Sequence, residues 1–414
     1  MQKKIIALAI AGLSSVAFAQ SNVTVSGTIG ASYDSYSLSG ATVARTTYRQ
    51  NMVSDQSSAI ILSGEEALGN GMKAWFQLDS RLTMDRGNGA TNANSTLGVQ
   101  TSSLGNGNTA VGLSGNFGKV GIGRWDLHYD ALAGIENLSA APALAARFGH
   151  FGLMANVMGQ GGAATQIAVG SRSANVMFYE TPNFSGFTGR LSYSTNAYGG
   201  EGEAFTTGAN GDAGNGSTAS VKLNYNNGPW AAVYSYWNHN VEGRGNYTAA
   251  WALTPAGAFV NTSVANAAPN PADQRSNRLG VAYTFPMGVK VGLAWDRSTV
   301  RDNAAGFADH TRTAWMLPIS YTMGAHSFLF NYAKAGQSSG MAAGTLDTSA
   351  SQYLLGYGYA MSKRTTLGVQ YITLDNRAAG TYSLAGASAA NTGLTGATAG
   401  EDGKLLTFNV RHNF

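Results

Sequence analysis

The chain contains no cysteine, which excludes a disulfide framework, a thiolate nucleophile and a thiolate metal site. Proline is scarce, 8 residues against 54 glycines, a balance that suits many strands joined by turns. Beyond the first 19 residues no apolar run approaches the ~20 residues that a membrane helix needs. Charge of one sign is also lacking: 26 Lys and Arg stand against 22 Asp and Glu, with no clustered basic run of the kind that a nucleic-acid surface requires. Catalytic patterns are missing as well. The six histidines (His128, His150, His239, His310, His326 and His412) are scattered, with no His-Glu-x-x-His and no zinc-site spacing. Gly112-Leu113-Ser114-Gly115 fails the Gly-x-Ser-x-Gly elbow, and no lysine-bearing phosphate loop follows Gly112, Gly115 and Gly118. Neither an enzyme nor a metal or cofactor site is expected.

What is present begins with an export signal. Lys3 and Lys4 precede an apolar run from Ile5 to Leu13, and Ala17-Phe18-Ala19 supplies a small-x-small cleavage site, so residues 1–19 read as a cleaved signal peptide. Without it Lys and Arg fall to 24 against 22 acids, a net +2. The exported chain must then be held by something other than a helix. Its last ten residues suggest what: Leu406, Phe408, Val410 and Phe414 share one parity, and Leu405, Thr407, Asn409, Arg411 and Asn413 the other. That is a strand with one face for lipid and one for water. Val23 to Tyr33 alternates in the same way, so the last strand is expected to close a transmembrane barrel against the first. A mean hydropathy of −0.10 fits, because only alternate residues of such a barrel meet lipid.

Between these ends the alternation returns in pairs. Ala59–Glu65 runs through a short link into Met72–Met84, and AVGLSG and KVGIGRWD flank a turn at Asn116-Phe117-Gly118 within Thr109–Asp126. Asn175–Thr181 meets Thr188–Ser194, Ser220–Tyr225 meets Trp230–Trp237, and Arg278–Phe285 meets Val289–Arg297. Thr311–Met323 meets Ser327–Lys334, and Gln352–Met361 meets Thr365–Leu374. Every second connection is short and the others are long and polar, which predicts an all-β fold: an antiparallel barrel of about sixteen strands in one domain, residues 20–414. The rhythm breaks once, over about 127–173. A structureless connection of that length is either a misassigned element or a functional loop.

The stretches LSGEEALGNGMKAWFQLDS from Leu62, VGLSGNFGKVGIGR from Val111, MFYETPNFSGF from Met177, MSKRTTLGVQY from Met361 and the terminal VRHNF resemble the general diffusion porins of β-proteobacteria. The resemblance implies a sixteen-stranded outer-membrane barrel, a homotrimer surrounded by lipid and lipopolysaccharide, whose third external loop folds inward to narrow the pore. The break at 127–173 lies where that constriction loop belongs. Trp125 stands after Arg124 where such porins often carry Gln, and Arg147-Phe148-Gly149 stands near the place of their Pro-Phe-Gly. Phe414 is expected to belong to the signal read by the barrel-insertion machinery.

A pore filters by size and by the sign of its wall charge. Charged residues on the polar parity must face water, since Arg or Lys at the bilayer midplane costs ~2–4 kcal/mol on the lipid face. The candidate wall residues are Lys73, Asp79 and Arg81, with Arg190, Lys222, Arg278, Lys290, Arg312 and Arg411. Arg124 shares the outward parity of Val120 and Ile122 but sits where the strand passes into the loop, and Asp126, Asp130 and Glu136 are the acids available to set a transverse field. The excess of wall cations predicts a pore for small hydrophilic solutes and ions with a modest preference for anions. A substrate-selective channel, an outer-membrane barrel enzyme and an adhesin are the alternatives.

Overall fold

An unpaired backbone N–H or C=O has no water to bond in hydrocarbon, so a sheet that crosses a membrane must leave no edge. A computed structural model of the chain has that closure. It describes residues 22–41, 48–82, 104–128, 135, 153–154, 172–195, 217–240, 251–253, 259–261, 272–302, 309–339, 346–384 and 397–414. The expected signal segment, and most of 127–173, lie outside the described residues.

The strands are β1 (Asn22–Ser39), β2 (Tyr48–Asp55), β3 (Ala59–Gly69), β4 (Met72–Arg81), β5 (Thr109–Gly115), β6 (Gly118–Asp126), β7 (Arg172–Glu180), β8 (Phe187–Ser194), β9 (Ser217–Asn227) and β10 (Trp230–Asn240). Then follow β11 (Trp251–Leu253), β12 (Phe259–Asn261), β13 (Ala272–Thr284), β14 (Val289–Asp302), β15 (His310–Met323), β16 (His326–Ala335), β17 (Ala350–Ala360), β18 (Thr365–Asn376) and β19 (Asp402–Asn413). β11 and β12 form a separate ribbon, and the remaining strands make one 17-stranded sheet. Within it β2 and β3 both pair with β1 and occupy one place, so the closed antiparallel barrel has 16 staves. All the expected hairpins form.

The first and last strands make the seam. β1 and β19 pair from Thr28↔Asn413 to Ser39↔Asp402, and the seam ends on two reciprocal backbone bonds of 3.1 Å between Gly27 and Phe414. Leu406, Phe408, Val410 and Phe414 are exposed on the outside, as are Val23, Val25 and Tyr33, while Leu405, Thr407 and Asn409 are buried inside. The alternation therefore sorts the faces as the sequence predicts. The Phe414 ring lies over Gly27, where a Cβ would come within 2.6 Å of the ring and 2.4 Å of the Ala59 carbonyl oxygen.

One stave differs from expectation. Tyr48–Asp55 was not anticipated as a strand, and a bulge explains why: between Asp55 and Ala59 three residues oppose Ile29 and Gly30 of β1. Ser57 adopts φ 58°, and the Ser58 hydroxyl both accepts from the Gly30 N–H (3.1 Å) and donates to the Gly30 carbonyl (3.2 Å), standing in for the lost ladder bonds. An extra residue reverses the parity of everything beyond it. Val53 and Ile60, seven positions apart, both point outward.

The interior is not uniformly wet. From β13 to β16 the inward positions carry Ala282, Ala294, Ala314, Met316, Leu329 and Ala333, all buried in one apolar cluster with Ile135, Leu153 and Met154. Small side chains on the wall leave room for a segment to lie against it. The chain between β6 and β7 uses that room.

The seam yields a test. Overpacking of a close contact costs about 1–3 kcal/mol, so Gly27→Leu, which must displace both the Phe414 ring and the Ala59 carbonyl, is expected to lower the urea midpoint of the barrel by that equivalent. Loss of heat-modifiable gel mobility follows the transition. A midpoint equal to that of the parent chain removes Gly27 as the seat of Phe414.

Candidate functional site

Among the described residues, two arcs of the inner wall gather charged side chains into clusters, and they differ in character. On the arc from β4 to β8, Asp79 and Arg81 stand two residues apart on the inward parity. The Asp79 carboxylate accepts from Arg81 Nε (3.1 Å) and Nη2 (2.7 Å) and from the Asn108 backbone N–H (3.3 Å). Its side chain is 2% exposed against 38% for Arg81. Asn108 extends the cluster. Its Nδ2 donates to Asp126 Oδ2 at 2.8 Å and its Oδ1 accepts from the Asp126 N–H (3.1 Å) and from Arg172 Nε (3.0 Å).

Arg172, at the start of β7, also pairs with Asp126 at 3.2 Å. Arg190 on β8 pairs with Glu180 at 2.9 Å and reaches the Asp126 carbonyl at 3.3 Å. Arg124 is half-buried beside the ladder irregularity between Gly123 and Trp125, within the electrostatic reach of Arg172 and Asp126. Its Nε is buried with no hydrogen-bond partner among the described residues. The structure thus gathers five of the predicted residues, Asp79, Arg81, Arg124, Asp126 and Arg190, into one cluster. Two members, Asn108 and Arg172, were not anticipated.

Below this cluster the wall is aromatic. Trp125 stacks on Phe178 at 5.0 Å and meets Trp75 edge-on at 5.9 Å. Gly112 and Gly121 are what let these rings lie flat, since a Cβ at Gly121 would come within 2.7 Å of both Phe178 and Trp75. Lys119 Nζ sits 3.7 Å from the centre of a Trp75 ring, an added cation on the same arc.

The second arc runs from β9 to β15, and here the chain from β6 comes inward. His128, fully buried, lies between Ser235 Oγ of β10 (2.7 Å from Nδ1) and Ser276 Oγ of β13 (2.9 Å from Nε2). Ser276 spends its one proton on Asp296 Oδ2 at 3.0 Å, so Nε2 donates to Ser276, and in the neutral ring that burial favours Nδ1 accepts from Ser235. The imidazole is neutral in that arrangement. Arg278 Nε donates to Asp296 Oδ2 (3.1 Å) and its Nη2 to the Met154 carbonyl (3.1 Å). Arg312 donates to Asp296 Oδ1 (3.3 Å), to the Met154 carbonyl (2.9 Å) and to the Leu153 carbonyl. It also approaches the Tyr382 hydroxyl at 3.5 Å, which brings in the connection between β18 and β19. Ile135 fits over Gly292, where a Cβ would stand 3.1 Å from its carbonyl oxygen and Cγ2.

Not every predicted wall residue faces open water. Arg278 and Arg312 are on the lumen parity but have zero exposure, because Leu153 and Met154 cover them, and Lys222 is buried beside His128. Alternation told which way these side chains point; it carried no information about what lies on top of them. Lys73 pairs with Glu65 at 2.7 Å near a short turn, away from either cluster. Asp130 and Glu136 lie outside the described residues.

Burial, reinforced by the Arg278 and Lys222 charges, holds the His128 imidazole well below its usual 6.5. His239, beyond Trp237 on β10, and Asp296, through Ser276, are the other titratable groups facing it. Docking against the wall therefore favours the neutral ring. A depressed histidine contributes stability that is present above the undocked value and lost as pH falls below it, so loop docking is expected to weaken below about pH 6.5. Open-channel current noise recorded from pH 8 to pH 5 should rise across that window, and His128→Asn should flatten the profile. A pH-independent parent channel contradicts this.

Comparison with known proteins agrees with the geometry. Residues 6–379 match the family described as Gram-negative porin. The chain is 28% identical over 417 residues, the full length of both, to outer membrane porin protein 32 of Delftia acidovorans. It is 27% identical over 212 residues to the major outer membrane protein P.IB of Neisseria meningitidis serogroup B, which covers 47% of this chain and 50% of that one. In fold it matches the anion-selective porin from Comamonas acidovorans with a TM-score of 0.68 at 24% identity, over 95% of this chain and 100% of the other. A closed barrel with a family match across most of its length leaves one conclusion: the chain belongs to the Gram-negative porin family and is an integral outer-membrane barrel that forms a diffusion channel for small hydrophilic solutes.

Proposed function

We propose that the segment at about 127–173 is the constriction of this channel and that the pore prefers anions, modestly. The observation that carries the sign is the asymmetry of the arc from β4 to β8. Arg81 is 38% exposed where its partner Asp79 is 2%, and Arg172 is 23% exposed where Asp126 is 13%. The Arg190–Glu180 pair runs the other way, at 16% and 35%, and the Lys73–Glu65 pair by the turn is nearly even, at 53% and 57%. Lys119 and Arg124 add positive charge with no ion pair of their own among the described residues. Water in the lumen therefore meets guanidinium groups more than carboxylates, which raises the local concentration of anions. The likeness in fold to a porin described as anion-selective agrees with this reading.

Exposed charges act over ~10 Å at 0.1 M salt and ~3 Å at 1 M. The reversal potential in a salt gradient should thus report anion preference that fades as ionic strength rises. Arg81→Ser and Arg124→Ser should each move it toward cations. A parent channel that selects cations, or two variants that leave the potential in place, would falsify the assignment.

The same reading extends to assembly: a homotrimer in outer-membrane lipid and lipopolysaccharide, inserted through the last strand and Phe414. The charge-free outward residues of β1, among them Val23 and Val25, suit burial against protein or lipid. Light scattering of unheated protein in mild detergent should give three chains per particle, and a monomer at all concentrations removes the trimer.

A catalytic role is not supported by the Ser276, His128 and Asp296 contacts, although the residue types are those of a hydrolase. Asp296 bonds to the serine instead of the imidazole, and both ring nitrogens face serines. Ser276 gives its proton to the carboxylate and accepts from His128, so no base is poised to activate it. The arrangement holds a loop.

A further inference from the structure

We propose that Asp296 is the positioning residue of the constriction, the one carboxylate among the described residues through which the inward segment is held at both its start and its middle. Four donors converge on it. Ser276 (3.0 Å) and Arg278 (3.1 Å) bind Oδ2; Ser298 (2.7 Å) and Arg312 (3.3 Å) bind Oδ1. Three of those four continue to the inward segment. Ser276 receives the His128 N–H, Arg278 holds the Met154 carbonyl, and Arg312 holds the carbonyls of Leu153 and Met154. None of the partners is exposed to solvent.

The need for a carboxylate at this place follows from the two arginines. Both aim at one acceptor, the Met154 oxygen, and two guanidinium groups brought that close in a dry site repel each other strongly. A carboxylate accepting from both lets them converge, and its two oxygens set the direction of each fork. The same carboxylate fixes the serine rotor that selects the His128 tautomer. Remove it and the arginines lose the carboxylate that they share, and with it their aim. Asp296 touches no solute path itself; its effect on permeation passes through the loop. This inference rests on the constriction reading above, so its test has one readout that needs no conduction.

That readout is amide hydrogen exchange of the peptides covering residues 127–154, measured by mass spectrometry on the folded full-length protein in detergent. A lost hydrogen bond to a buried charged group corresponds to about tenfold or more in an opening equilibrium. Asp296→Asn should therefore speed exchange near both 128 and 153–154 by about that factor. Arg312→Gln should do so near 153–154. The two variants are expected to part in the reversal potential: Asp296→Asn removes a negative charge and moves it toward anions, whereas Arg312→Gln removes a positive charge and moves it toward cations. A residue that merely filled space would not give opposite signs. Ser276→Ala cuts only the His128 arm without changing charge, and should loosen the peptide at 128 while leaving 153–154 as in the parent. If Asp296→Asn fails to show heat-modifiable mobility, Ser276→Ala and Arg312→Gln decide the matter. Exchange unchanged in the folded variants, or Ser276→Ala loosening both places equally, overturns the proposal. A parent protein that conducts no current would defeat the channel reading, and the exchange comparison would still judge Asp296.

Discussion

A backbone N–H or C=O without a partner in hydrocarbon costs several kcal/mol, and the ladder that runs from β1 round to β19 and back closes the sheet on itself. Everything else about the molecule is arranged beneath that constraint. Closure forces strict alternation, alternation sends one face of every strand into lipid, and lipid rejects charge. The buried ionisable residues of the staves, Asp79, Arg278, Asp296 and Arg312 among them, accordingly point inward, where they must be satisfied by water or by one another.

The two arcs of the lumen solve that problem in different ways. Between β4 and β8 the ion pairs stay partly wet, with Arg81 and Arg172 reaching water and the carboxylates of Asp79 and Asp126 tucked behind them. Between β9 and β15 the wall is dry: alanines make a hollow, the chain after β6 fills it, and the buried Asp296, Arg278 and Arg312 are satisfied by each other and by backbone carbonyls. Breaking a buried charge pair by removing one partner costs roughly 3–5 kcal/mol, so this docking is far from a loose surface contact. A channel with a narrow bore needs both halves. The dry arc fixes where His128, Leu153 and Met154 lie, and the wet arc presents charge to the lumen.

Most of the fold was legible in the sequence because strands of a barrel repeat one simple signal. The seam with Phe414, the hairpins and the outward faces all follow from period-two alternation and short turns. Tyr48–Asp55 escaped because the bulge at Gln56–Ser58 inverts parity within a single stave, so that neither half extends the pattern of the other. The candidate site was legible only in part. Asp79 and Arg81 stand two positions apart and share one face of a strand, but His128 meets Ser276 across 148 positions and Arg312 meets Met154 across 158. Local spacing holds no trace of such contacts. Asp296 offered no signal at all, since an aspartate on the polar parity of a strand looks the same whether it faces water or anchors a loop.

The clamp grips Leu153 and Met154 by their carbonyl oxygens, atoms that every amino acid possesses. Their side chains pack into the apolar cluster, yet the polar part of the grip is indifferent to the residue that supplies the oxygen. A lineage of such channels could rewrite much of this segment, altering bore and solute preference, without relinquishing the attachment. The burden of constancy then falls on the wall, on Asp296 and its arginines, while the loop is left open to variation and to the designer.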